Sequence, residues 1–89
     1  MTTLQRIKAI AAELGAGNVE LIAGHPEAAQ TYATSALGYA SAISDPAIRD
    51  VQMWAIQALT LGIEYSRREQ DAREQQAAAR GSKSLAGAG

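Results

Sequence analysis

Apolar residues recur at steps of three and four along most of the chain, and no stretch alternates apolar and polar residues long enough for a strand. The pattern predicts an all-α fold, a small bundle of two or three main helices. Thr2 with Gln5 three residues on fits a capping box, so the first helix is expected to start at Thr3 or Leu4. Leu4, Ile7, Ala11 and Leu14 share one of its faces. Gly15 follows where a left-handed C-terminal cap would sit, which ends this helix at 14. Gly15-Ala16-Gly17-Asn18 then reads as a linker, with Asn18 capping a short helical turn near 19–23. Gly24-His25-Pro26 closes that turn and places Pro26 at the first position of a helix over about 26–43, where no amide hydrogen is needed. Ser44-Asp45-Pro46 repeats the device and opens a last helix over about 46–79.

The faces of the two longer helices are unequal. Ala29, Tyr32, Ala36, Tyr39 and Ile43 form one stripe on the middle helix, with Ala33, Leu37 and Ala40 beside it. No charged residue lies between Glu27 and Asp45, so this helix is expected to be hidden on more than one side. The last helix carries two apolar stripes. One is Ala47, Val51, Trp54, Ala58, Leu61 and Tyr65; the other is Ile48, Ala55, Ile56, Leu59, Gly62 and Ile63. A helix apolar around most of its circumference is either central in its own domain or covered by a second chain. Ala36, Ala40, Ala55, Ala58 and Gly62 would let backbones approach closely and gain dispersion energy without bulky side chains.

After Tyr65 the character changes. Residues 66–80 hold no large apolar side chain but have high helix propensity, with Glu69 and Arg73 at a favourable four-residue spacing. The expected organisation is a helical core over 1–65, a projecting polar arm over 66–80 and a flexible tail over 81–89. Composition sharpens the picture. Of 89 residues twenty are Ala and only eighteen are Leu, Ile, Val or Met, so one domain with a thin core is the ceiling. Such a chain gains from completing its core with a neighbour.

Charge and chemistry narrow the function. Eight basic against nine acidic residues give a net charge of −1, and no global field favours nucleic acid or an anionic membrane. Residues 64–83, the arm and its flanks, are mixed, with Arg67, Arg68, Arg73, Arg80 and Lys83 set against Glu64, Glu69, Asp71 and Glu74. A phosphate-tracking arm would be more one-sided and would interleave aromatics for base stacking. The most apolar window, 47–65, carries Arg49, Asp50 and Glu64, which argues against a membrane span. The absence of Cys removes thiolate metal sites. His25 is the single histidine; it has no second histidine for a metal and no nucleophile paired with it, so it reads as a surface residue at a helix start. Asp45 has a cap to satisfy, Asp50 beside Arg49 is ordinary helix-start charge, and Gly15-Ala16-Gly17 lacks the Lys-Ser/Thr of a phosphate loop. No cofactor, metal or catalytic residue is expected.

Trp54, Leu61 and Tyr65 share a stripe that runs into the Arg-rich arm. Trp54 serves either as the largest core filler or as an interface anchor, since Trp, Tyr and Arg dominate interface hot spots. The candidate protein-interaction residues are therefore Trp54, Leu61, Tyr65, Arg67, Arg68 and Arg73. Asp45-Pro46-Ala47-Ile48 leading to Tyr65-Ser66-Arg67-Arg68-Glu69 resembles the final helix of small all-helical head–tail adaptors of tailed phages, over about a quarter of the chain. The resemblance implies docking within a virion. The sequence as a whole points to a non-catalytic structural or assembly protein, cytoplasmic or part of a soluble assembly, that self-associates or docks into a larger complex. A small regulatory protein that occludes a partner's surface is the alternative.

Overall fold

A computed structural model describes the backbone of residues 1–88 and the side chains of residues 1–81. Among the described residues three helices follow one another: α1 over Thr3–Ile22, α2 over Pro26–Ser41 and α3 over Pro46–Ala88. The fold is all-α, with no strand among the described residues. The molecule measures 67 × 19 × 15 Å, because α3, at 43 residues, far outruns the hairpin of α1 and α2 beside it.

The helix starts follow the expected chemistry. Thr2 Oγ1 accepts from the Gln5 amide at 3.1 Å, while the Thr2 amide donates to Gln5 Oε1 at 2.7 Å, a complete capping box. Pro26 is the first residue of α2. Asp45 Oδ1 accepts from the amides of Ala47 at 2.9 Å and Ile48 at 3.3 Å, and so caps α3.

The end of α1 differs from expectation. The helix does not stop at 14; it runs unbroken through Gly15, Gly17 and Asn18, and no separate turn stands at 19–23. Asn18 caps nothing, since its Nδ2 donates back to the Leu14 carbonyl at 2.9 Å within the same helix. The stop lies at Gly24, the residue with φ +83°. There the His25 amide reaches the Glu20 carbonyl at 2.8 Å and the Gly24 amide reaches Leu21 at 3.1 Å, the two bonds of a Schellman motif. Gly17 has a packing role instead. It is buried, and a Cβ there would lie 2.7 Å from Leu59 Cδ2 and 3.3 Å from Tyr32 Cβ. A bare backbone at this point lets α1 press against both other helices.

This longer α1 also shifts its buried face. Ile10 is fully buried while Leu4 and Ala11 are exposed, so the inward line is Ile7, Ile10, Leu14, Gly17 and Leu21. On α2 the inward ridge is Ala29, Ala33, Ala36 and Ala40, each almost wholly buried, with the two tyrosines half-buried at its margins. Small side chains here bring both neighbours close to the α2 backbone. Ala36, Ala40, Ile10, Ile43 and Ile56 form one core cluster; Ala29, Ala33, Leu59 and Ile63 form the other. The uncharged outer face of α2, however, is not covered: Thr31, Thr34, Ser35, Leu37, Gly38 and Ser41 are exposed. α2 itself ends at Ser41, two residues before the expected end, where the Ala42 and Ile43 amides reach back three residues to Tyr39 and Ala40.

α3 continues past the expected end at 79. The expected tail, 81–89, falls almost entirely outside the residues whose side chains are described. No helix is long and apolar enough to cross a membrane among the described residues.

Candidate interaction surface

The two apolar stripes of α3 have opposite fates. Ile56, Leu59 and Ile63 are buried in the core, with Ile48 and Gly62 half-buried beside them. Ala55, read with this stripe, is exposed at its edge. The other stripe is exposed along its whole length, from Ala47 to Tyr65. Val51 is 66% exposed, Trp54 76%, Leu61 56% and Tyr65 65%. Trp54 is therefore not a core filler in the single chain. It stands in solvent as the largest side chain of an apolar strip.

The strip has a regular spacing. Ala47, Val51, Trp54, Ala58, Leu61 and Tyr65 are separated by four, three, four, three and four residues, the a/d pattern of a coiled-coil seam. At 1.5 Å per residue it is about 27 Å long. Other exposed apolar side chains, Leu4, Val19 and Ile22 on α1, are interrupted by Lys8 and carry no aromatic. Among the described residues the α3 strip is thus the one with both length and anchors.

Depressions border the strip. A groove of about 470 Å³ opens between α2 and α3, lined by Leu37, Met53, Ile56, Gln57, Thr60 and Leu61. Its walls bear no charge, because α2 supplies none on this side. Nearer the start of α3, a shallower recess of about 350 Å³ lies among Ala47, Ile48, Val51 and Gln52. Of these lining residues only Leu61 was among the candidates read from sequence; Leu37, Met53, Gln57, Thr60 and Val51 were not. The seven-residue spacing was the available signal for Val51, whereas the groove depends on how α2 lies against α3.

The three arginines are placed differently from one another. Arg67 turns inward: its Nε and Nη2 donate to the two carboxylate oxygens of Glu27 at 2.9 and 3.1 Å. Beside it, Gln70 Nε2 donates to the Gly24 carbonyl at 3.0 Å. These contacts fasten α3 to the start of α2 and the α1–α2 turn, four and seven residues beyond Ile63, the last buried apolar residue described in α3. Arg68 belongs to the exposed strip's end. It pairs with Glu64 at 2.6 Å and lies 5.3 Å from the Tyr65 ring centroid. Arg73 pairs with Glu69 at 2.9 Å, one helical turn away, and every described residue beyond Gln70 is exposed. The structure thus brings Trp54, Leu61, Tyr65 and Arg68 onto one surface and separates Arg67 and Arg73 from it.

His25 is exposed, with Nδ1 2.9 Å from Glu20 Oε2. No group of three or more His, Cys, Asp or Glu is arranged to hold a metal among the described residues. No family model matches the chain, and no curated protein and no solved structure matches it either.

Proposed function

We propose that this is a non-catalytic assembly protein that acts by self-association through the outer face of α3. The observation that carries the reading is the exposure of a complete a/d strip, with Trp54 and Tyr65 in solvent on one helix. Large apolar strips on soluble surfaces mark interaction sites, and the most effective anchors are aromatic. The rest of the molecule supports it. The core is rich in alanine, so a second layer against α3 adds apolar burial that the chain cannot supply alone.

The exposures set the size of the contact. Fully buried aromatic side chains remove about 150–250 Å² each from water. With the exposures above, two copies meeting along the strip would bury on the order of 1,000 Å², the small end of specific interfaces. Contacts of that size belong with weak, transient encounters, and a micromolar association, about −8 kcal/mol, is the expectation to test.

Trp54 supplies its own probe, being the single indole. Its fluorescence should be strongly quenched by acrylamide in dilute solution and protected as concentration rises through the micromolar range. Quenching that stays the same at every concentration would remove Trp54 from any self-contact.

A further inference from the structure

The sizes along the exposed strip read Ala, Val, Trp, Ala, Leu, Tyr from residue 47 to 65. Laid antiparallel against itself, with residue pairs summing to 112, the strip pairs every position. Tyr65 meets Ala47, Leu61 meets Val51 and Trp54 meets Ala58, and the same three contacts recur across the two-fold axis. Each large side chain then faces a small or medium one. A parallel pairing in register sets Trp54 on Trp54 and Tyr65 on Tyr65, and leaves Ala47 and Ala58 facing alanine. That alternates crowding with voids, whereas close packing wants large against small in each layer.

The surface relief agrees with the antiparallel match. Tyr65 would arrive at Ala47, whose neighbours Ile48, Val51 and Gln52 line a recess. Trp54 would arrive at Ala58, between Gln57 and Leu61, which also line the uncharged groove against Leu37. Beyond the apolar layers, Arg68 falls opposite residues 44 and 45, where Asp45 is exposed. On one flank Asp50 approaches Glu64, a like-charged contact that the Arg68–Glu64 pair offsets.

We propose that α3 pairs with α3 of a second copy as an antiparallel, two-fold symmetric dimer, the axis crossing the strip near residue 56. The pairing rests on the self-association argued above and adds its geometry. A symmetric contact of this kind uses the same patch on both copies and closes at two chains. It also sends the polar ends of α3 in opposite directions. The dimer is then a strut with a charged helical arm at each end.

The arms give the test. The chain has no cysteine, so Ala72→Cys, exposed and beyond the strip, takes a single spin label. Sixteen residues from the axis on each side, the antiparallel dimer places the two labels about 50 Å apart, whereas a parallel pair places them under ~20 Å. Pulsed dipolar spectroscopy reads the distance, and light scattering on the same sample reads the mass. A dimer with a separation near 50 Å, together with a disulfide formed when Val51→Cys and Leu61→Cys chains are mixed, supports the pairing. A dimer with any other separation overturns the antiparallel geometry and leaves self-association standing. A single-chain mass at concentrations well above micromolar overturns both.

Discussion

Gly17 and Gly15 stand two residues apart in the same helix and should respond oppositely to the same substitution. Gly17→Ala puts a methyl group 2.7 Å from Leu59 Cδ2, 3.3 Å from Tyr32 Cβ and 3.6 Å from the Ala29 carbonyl oxygen. Leu59 is buried among Ala29, Ala33 and Ile63, and Tyr32 Cβ moves only with its backbone, so neither neighbour yields freely. Replacing Gly by Ala inside a helix gains about 0.8–1 kcal/mol, while overpacking a core costs about 1–3 kcal/mol. The net expectation is a loss of about 1 kcal/mol. At Gly15 nothing lies within 4 Å of the added methyl, so the helix term acts alone and the variant gains just under ~1 kcal/mol. The two variants should differ by about 2 kcal/mol. Urea unfolding followed by helical circular dichroism, at one dilute protein concentration, separates them by on the order of 1–2 M in midpoint. Equal stabilisation by both substitutions would refute the close approach of α1 at Gly17. Destabilisation by Gly15→Ala would instead revive a break in the helix there.

Other substitutions probe other contacts. Gly62→Ala meets only the half-buried Leu21 side chain, which can turn away, so its unfolding midpoint should imply a change within about 0.5 kcal/mol of the parent. Asp45→Ala leaves two amides at the start of α3 without their acceptor and should cost about 1 kcal/mol in the same assay. A double-mutant cycle on Arg67→Ala and Glu27→Ala should give a coupling of about 0.2–1 kcal/mol that shrinks with added salt; no coupling at low salt would mean that this pair does not fasten α3 to the turn.

Helix starts were legible because side chains announce them. Thr2 with Gln5, Pro26 and Asp45 each supply or remove a particular hydrogen bond, and each stands where its chemistry implied. Glycine was ambiguous. Gly15, Gly17 and Gly24 look alike in sequence, yet the first is open helix, the second a contact point and the third a left-handed cap. Only the partners across space distinguish them. Reading Gly15 as the stop also hid Ile10, since the inward line of α1 is set partly by Gly17 and Leu21 beyond the supposed end. The two stripes on α3 could be separated by spacing, but nothing local says which of them the α1–α2 hairpin covers. The arginines show the same limit: Arg67 and Arg68 are adjacent, and only the position of Glu27, forty residues away, turns one inward.

Sedimentation equilibrium of the full chain beside Trp54→Glu tests most directly whether the outer face of α3 is a self-association surface. Because Trp54 is largely exposed, the substitution should leave the helical content of the single chain intact. The parent is expected to rise from one to two chain masses across the micromolar range, while Trp54→Glu stays at one. A parent that remains a single chain at the highest concentrations, or a variant that associates as the parent does, would contradict it.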